Sequence, residues 1–397
     1  MRVTIVGAGV VGVTTAYFVA QRGHDVTLLE RHSQPAQDTS FANAGQLSYS
    51  YTDTMADPGM LRKLPSLLLG RDIGMRIRID AALIPWGVQF LWQCTRAKAD
   101  RNTLELLRLA ADSAQALDRL LADVALDFDH RPAGKLMVTA SAQTIAGLRR
   151  RAAMKGKHGA RVDVIGPAEC KAIEPALEGW RGTIAGASYS ESDQVGDARM
   201  FTQGLFDHLQ AKRLCDIKTG VTATGLRLQG RRVTGVETAA GAIEADAVIA
   251  CTGIGTRRLL SGTGIRVPIY PLKGYSVTQP SGSRPPLVSV TDLDRRIVFA
   301  NLGGRVRLAG LADCAGTDAS IVPQRIADLV ALGREVMPEA AHYDAPLEPW
   351  AGLRPATPSG LPLVGATRLQ GLHLNVGHGA LGWTLACGAA RRLAATF

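Results

Sequence analysis

An α/β fold is predicted by three features of this chain. A strand, a glycine-rich turn, a helix and a second strand follow one another in the first thirty residues. A strand-like apolar run ends in small residues at Ala247–Gly253, and a glycine-rich strand–turn–helix closes the chain after Leu374. Together they predict a Rossmann-like domain assembled from distant segments, with a mixed-sheet α+β domain interleaved between them. At 397 residues the chain is longer than one hydrophobic core usually spans, so two domains are expected.

The N-terminal element is the most explicit. Arg2-Val-Thr-Ile-Val6 alternates apolar and polar residues and runs into Gly7-Ala-Gly-Val-Val-Gly12. Val13 to Gln21 continues as a helix without Gly or Pro, Gly23 ends it, and Asp25-Val-Thr-Leu-Leu-Glu30 reads as the second strand. Each residue suits dinucleotide binding. Gly7 permits the tight turn, Gly9 lets the backbone approach a pyrophosphate, and Gly12 lets helix and strand pack closely. The helix start at Val10 and Val11 offers free N–H groups and the positive end of its dipole to phosphate. Glu30, eighteen residues past Gly12, is placed to accept both hydrogen bonds from an adenosine ribose. Small Ala16 and apolar Val19 sit on the helix face toward the sheet. An acid at the strand end suits the ribose of NAD and of FAD, so the fingerprint leaves the two open.

Later elements follow in order. Thr39 to Tyr51 is small and polar with two tyrosines. Asn102 to Leu126 shows apolar residues at helical spacing, Arg295 to Leu311 alternates like strands, and Arg325 to Val336 reads as a helix. The nucleotide-binding domain is expected at 1–51, 190–262 and 345–397, and the other domain at 52–189 and 263–344.

Composition removes several classes. The chain is 46% hydrophobic and 20% charged with 43 glycines, which excludes disorder, collagen and a disulfide scaffold. Val3 to Gln21 and Leu369 to Ala390 carry no charge and approach the roughly 20 residues of a membrane span. Their glycines, threonines and histidines read better as turns between strand and helix. A single Arg2 precedes the first run and no small-residue cleavage site follows it, so a cytoplasmic protein is expected. The six cysteines lie at least 36 residues apart without a CxxC or Cys/His ligand spacing, so no metal site is expected.

Four further motifs follow, of which the first and the last are far more specific than the glycine fingerprint. They are Asn43-Ala-Gly-Gln46 within 39–51, Val267-Pro-Ile-Tyr-Pro-Leu-Lys-Gly-Tyr-Ser276, and Trp350-Ala-Gly-Leu-Arg-Pro355 followed by Gly377-His-Gly-Ala-Leu-Gly-Trp-Thr384. In this order they resemble the D-amino-acid dehydrogenase small-subunit family, within the FAD-dependent D-amino-acid oxidase/glycine oxidase superfamily. The resemblance covers nearly the whole chain and implies a Rossmann-like FAD-binding domain with an interleaved mixed-sheet α+β substrate domain.

The resemblance also implies roles. Gly7, Gly9, Val10, Val11, Gly12, Glu30 and Arg31 would hold the adenosine and diphosphate. Ser40, Asn43, Ala44, Gly45, Gln46 and Leu47 would line one side of the flavin ring and its ribityl chain. Val221 would meet the adenine, and Thr252 and Gly253 would touch the diphosphate or flavin. Gly377, Gly379, Ala380, Leu381, Gly382, Trp383 and Thr384, with Gly352 and Arg354, would complete the pocket. Bare N–H groups at the start of the last helix suit the negative charge that collects on a reduced flavin.

For the substrate, Arg354 is the expected carboxylate grip, because a guanidinium fork makes two parallel hydrogen bonds. His378, Tyr51, Tyr275 and Lys273 are the further candidates at the pocket. No side-chain base is required if Cα–H is aimed at flavin N5, since positioning supplies most of the advantage. The activity implied is oxidative deamination of a D-amino acid to a 2-oxo acid and ammonia, with electrons passed to a quinone or other non-oxygen acceptor. Two rival readings are oxidation of a cyclic or N-substituted amino acid (D-proline, hydroxy-D-proline, glycine, sarcosine) and a non-catalytic flavin-binding electron-transfer subunit.

The net charge of +10 has a location. Residues 62–101 hold eight Lys/Arg against three Asp/Glu, half the excess in a tenth of the chain, beside Leu64–Leu69, Trp86, Phe90 and Trp92. Basic residues next to apolar ones suit an anionic membrane surface at the inner face of a cell membrane. Internal packing is the competing expectation, especially for the tryptophans. Nucleic acid is not expected, as no motif beyond charge supports it.

Overall fold

A computed structural model describes residues 1–397. Its first sheet has six strands in the order Leu363–Ala366, Leu372–Val376, Ala247–Ala250, Arg2–Val6, Asp25–Leu29 and Asp216–Lys218. All neighbours run parallel except the Leu363–Ala366 edge. Strands from residues 2, 25, 216, 247 and 372 thus converge in one sheet, as a discontinuous nucleotide-binding domain requires.

Helices Val10–Ala20, Arg96–Asp123, Ala198–Ala211 and Gly382–Ala394 share a core with one face of this sheet. The antiparallel strands Ala223–Gln229, Arg232–Thr238 and Gly241–Glu244 cover the other. Val10–Ala20 is buried on nearly every side, which explains why its run of sequence carries no charge.

Helix Arg96–Asp123 was expected with the substrate domain but packs across the last helix instead. Gly388 makes that crossing close: a β-carbon there would come 2.7 Å from the Leu109 carbonyl oxygen, and its N–H donates to Ser113 Oγ at 3.0 Å. Helical periodicity shows that one face is buried, not which neighbour buries it.

The second sheet runs Glu348–Ala356, Tyr270–Pro280, Arg305–Cys314, Ile297–Leu302, Ser289–Asp292, Lys135–Thr139, Gly186–Ser190, Asp163–Ile165, with Met75–Ile77 beside the end of Arg305–Cys314. It is mixed, since Ser289–Asp292 runs parallel to Lys135–Thr139. Glu348–Ala356 belongs to this sheet although it lies within 345–397, the segment expected for the nucleotide domain. Helix Pro323–Val336 packs on one face. The opposite face presents buried Lys135, Ser276, Ser289 and Arg307 to the loop Ala42–Ser50, which runs between the two domains.

Candidate active site

The N-terminal turn is built at glycine contact distances. Gly7 has φ of +102°, and a β-carbon there would come 2.8 Å from the Cys251 carbonyl oxygen; a methyl on Gly12 would overlap the Gly7 carbonyl. Gly9 is different. Its only close neighbour would be Ser40 Oγ at 3.3 Å, so the backbone lies open to a ligand. Ser40 Oγ also accepts the Val10 N–H at 3.0 Å, orienting the loop against the helix start that Val10 and Val11 form.

Glu30 is buried at the strand end, where its carboxylate accepts the N–H groups of Ala8 at 2.7 Å and His32 at 2.9 Å. Val221 donates its N–H to the Glu30 carbonyl at 2.8 Å, so these two residues are adjacent. Thr252 bonds the Thr256 hydroxyl at 3.0 Å, and Gly253 adopts φ of +51° with open space beside it. This cradle fits a dinucleotide: bare backbone at the turn, a fixed acid at the strand end and small residues opposite. Arg31 instead turns outward to Asp38 at 2.7 Å on the surface.

The loop after Ser40 is held from several sides. Asn43 Oδ1 accepts the Gly45 N–H at 2.9 Å, closing a turn around Ala44, with Gly45 at φ of +65°. Beyond it, alternate residues diverge. Leu47 and Tyr49 point into the core beneath the last helix, whereas Gln46, Ser48 and Ser50 face the nine-stranded sheet. Leu47 therefore has only its backbone to offer a ligand. Thr384 Oγ1 accepts the Ser48 N–H at 3.0 Å, tying the loop to the first turn of the last helix.

Two residues of this frame escaped the sequence reading. Arg307, buried on a central strand, donates to Asn43 O at 3.2 Å, Thr278 Oγ1 at 3.0 Å and Asp197 Oδ2 at 2.9 Å. Lys135 donates to Gln46 Oε1 at 2.9 Å and Ser48 Oγ at 2.8 Å. For Arg307 the available signal was a cation inside an alternating strand; Lys135 opens a short strand buried throughout and gave no such signal.

At the C-terminal turn, Gly377 and Gly379 take φ of +81° and +54°. The helix Gly382–Ala394 begins with no side-chain cap and no acid in its first turn, so no protein carboxylate offsets its positive end. Ala380 is exposed while Leu381 and Gly382 are half-buried, which leaves this end accessible. His378 is buried, and burial pushes its imidazole down to about 4, so it is neutral at ordinary pH. Trp383 departs from expectation. Its indole donates to the Gly196 carbonyl at 3.0 Å and packs with Phe128 and Phe201 in the core. One residue past Gly382 the helix has turned by ~100°, which carries that side chain to the far side.

Arg354 lies on the strand Glu348–Ala356 and pairs with Leu272. Its guanidinium lies over Gly274, where a methyl group would overlap it. Gly352 is bare for a similar reason, because the Trp350 ring lies over it. Burial alone lowers the Arg354 pKa, with no carboxylate acting on it. A half-buried cation without an anionic partner is ready to receive one.

The other candidates are not brought to Arg354. Tyr275 pairs with Ala351 and Lys273 with Leu353, which places both on the opposite face of the strand. The Tyr275 hydroxyl donates to Asp313 Oδ2 at 2.7 Å, and Lys273 Nζ lies 3.5 Å from Asp318. Leu272 and Gly274 occupy the Arg354 face instead. Tyr51 lines a separate cavity with Asp53, Lys135, Arg151 and Ser188, and burial pushes its phenol up to about 12.

Comparison with known proteins agrees with this geometry. The family model described as FAD dependent oxidoreductase matches residues 2–396. D-amino acid dehydrogenase 2 of Ralstonia nicotianae is 43% identical, covering 99% of this chain and 96% of that protein. D-amino acid dehydrogenase 2 of Pseudomonas aeruginosa is 41% identical over 99% of this chain and 94% of its own length. Among solved structures, glycine oxidase from Bacillus cereus superposes with a TM-score of 0.76 at 22% identity, covering 100% of this chain and 94% of that one. With one family's model spanning almost every residue, and a cradle that fits its cofactor, the chain belongs to the FAD dependent oxidoreductases and is an FAD-using enzyme.

Proposed function

We propose that this enzyme is a D-amino-acid dehydrogenase, oxidising a D-amino acid to the imino acid that water converts to a 2-oxo acid and ammonia. The observation that carries this reading is Arg354: a cation with no carboxylate partner, facing a strand position kept bare by Gly274. A substrate carboxylate supplies the missing partner through two parallel hydrogen bonds and fixes the position of Cα. The names of the relatives at 43% and 41% identity support the D-amino-acid class.

Bound FAD supplies the two-electron acceptor for the hydride leaving Cα. The chain's own residues bind and orient. Gly9, Val10 and Val11 at the first helix meet the diphosphate, and Glu30 meets the ribose. Asn43 to Leu47 and Gly377 to Gly382 would line the ring, and the positive end of the last helix would favour the charge that reduction creates. His378, neutral through burial, adds no second cation beside Arg354. The division of labour assigns 1–51, 190–262 and 345–397 mainly to the cofactor and 52–189 and 263–344 mainly to the substrate, except that helix Arg96–Asp123 packs with the cofactor domain and the strand carrying Arg354 belongs to the substrate sheet. Anaerobic mixing tests the reading: D-alanine bleaches the flavin absorbance and L-alanine does not. Bleaching by D-proline alone favours a cyclic substrate, and no bleaching by any amino acid overturns the assignment.

The electron acceptor in this reading is a quinone or another carrier that is not oxygen, reached at a membrane surface. Its support is a patch on Pro58–Leu68, Leu83–Gln93 and the turns between them. Leu69, Ile73, Val88 and Trp92 are 65%, 68%, 63% and 70% exposed there, beside Arg62, Lys63, Arg71 and Arg78. Trp86 and Phe90, by contrast, are buried, and the Trp86 indole donates to the Ala356 carbonyl at 2.9 Å. No helix of the chain is long and apolar enough to cross a membrane, so contact would be interfacial. Co-sedimentation with anionic vesicles at low salt is expected and should weaken in W92S. Absence of binding by the unaltered protein overturns the membrane reading.

A further inference from the structure

Lys135 opens the strand Lys135–Thr139, flanked by Ser289 on one side and Ser190 on the other. The Ser289 hydroxyl is bonded to the Gln46 amide, the Lys135 ammonium to Gln46 Oε1 and Ser48 Oγ, and the Ser190 hydroxyl to that of Ser50 at 2.7 Å. Three adjacent strands thus pin alternate residues of one extended segment. That segment continues the loop read above as lining the flavin ring, and the inference rests on that reading.

The ammonium is 3% exposed, and its contacts are the neutral acceptors Gln46 and Ser48, with the Tyr51 ring centroid 4.6 Å away. The nearby Lys155 differs in holding Asp53 at 2.8 Å. Asp193 acts on Lys135 through space without a direct hydrogen bond to it, while its Oδ1 accepts the Ser50 N–H at 2.9 Å. Charges this deeply buried are normally held by a directly bonded opposite charge, whereas Lys135 spends its hydrogen bonds on the loop. Burial lowers the Lys135 pKa to about 8, so the ammonium form still dominates at neutral pH.

We propose that Lys135 is a positioning residue for the flavin, fixing Gln46 and Ser48 against the ring and lending a fixed positive charge that favours the reduced cofactor. Hydride transfer brings two electrons and one proton to a neutral oxidised ring, so one negative charge remains on it. A fixed cation behind the ring-lining loop stabilises that state relative to the oxidised one. The charge is prepaid, because the fold holds it in place before substrate arrives.

The test is the two-electron midpoint potential of the FAD-loaded protein, measured against reference dyes for the unaltered chain, K135R, K135Q and K135M. K135R should stay within threefold of the unaltered equilibrium constant for reduction. K135Q and K135M should each lose at least tenfold, about 30 mV toward negative potential. FAD bound to K135Q or K135M at an unchanged potential overturns the proposal, as does a shift in K135R as large as theirs, which would make the role one of packing. A protein that takes up no FAD in any form refutes the site itself, and that outcome is read separately from absorbance.

If neither neutral variant folds, the unaltered protein decides. Its potential relative to free FAD should fall above about pH 8 as the ammonium loses its proton; Tyr51, Asp53, Arg151, Lys155, Tyr189 and Asp193 are the other ionisable groups around it. A pH-independent difference from free FAD overturns the proposal.

Discussion

The Arg354 guanidinium occupies the space that a side chain on Gly274 would need. The two residues lie on neighbouring strands, offset by one pair on the same face: Leu272 opposes Arg354, and Gly274 opposes Gly352. The cation is therefore aimed by an absence of side chain as much as by its own rotamer. Gly274→Ala should push the guanidinium aside and raise KM for a D-amino acid at least tenfold, with FAD content unchanged. Steady-state kinetics beside flavin absorbance checks both halves.

Removing the cation should cost more. Hydrogen bonds to charged groups are worth about 1.5–3 kcal/mol each, and a bidentate carboxylate loses two of them. Arg354→Met should lower kcat/KM by roughly 10²–10⁴, and Arg354→Lys should recover only part, since an ammonium cannot form the fork. An unchanged KM in Arg354→Met would remove this residue from substrate binding.

At the other end of the site, Gly12→Val should prevent FAD uptake. Even a methyl group there overlaps the Gly7 carbonyl, so helix and strand must separate and the turn loses its shape. The readout is thermal unfolding with and without added FAD: the unaltered protein should gain stability from the cofactor, whereas the variant should not.

His378 sets a pH dependence of stability. Its folded-state pKa lies near 4, below the ordinary 6.5, because burial penalises the imidazolium. Between those values the unfolded chain binds a proton that the folded protein does not, so the contribution is complete above pH 6.5 and is lost as pH falls toward 4. The linkage is worth about 3 kcal/mol over that window. Urea unfolding at pH 7 and pH 4.5 should show a smaller loss in His378→Asn than in the unaltered chain.

Gly388→Val tests the crossing of the last helix with Arg96–Asp123. The added side chain meets the Leu109 carbonyl and the Ser113 backbone, and overpacking of this kind costs about 1–3 kcal/mol. A lowered midpoint in urea with an unchanged slope is the expected result.

What the sequence disclosed and what it withheld divide along a physical line. The glycine turn, Glu30 and the parallel core strands were legible because main-chain demands act locally: a positive φ at Gly7 or a close crossing at Gly12 leaves glycine as the residue that fits. Arg354 was legible through its setting among Gly352, Leu353 and Pro355. Tyr275, Lys273 and Trp383 were not, because side-chain direction depends on phase. The pairing of Tyr270–Pro280 with Arg305–Cys314 also shifts register between Gly274 and Tyr275. Lys135 was invisible for a different reason. Its role arises only where strands carrying residues 135, 190 and 289 come together.

The chain passes from Arg354 to the final glycine turn in little more than twenty residues, and Ala356 and His378 are joined there by a β-bridge. The proposed grip on the carboxylate and the turn that would meet the flavin are consequently one continuous piece of backbone rather than two domains brought into alignment. The distance from a carboxylate held at Arg354 to the ring would thus be built into the main chain and be the same for every substrate. Choice among side chains would then fall to the cover over the Arg354 face, where Leu272 and Tyr270 pack with Trp86 and Phe90. Substitutions in that cover can change which amino acid is accepted while leaving the reacting geometry as it was.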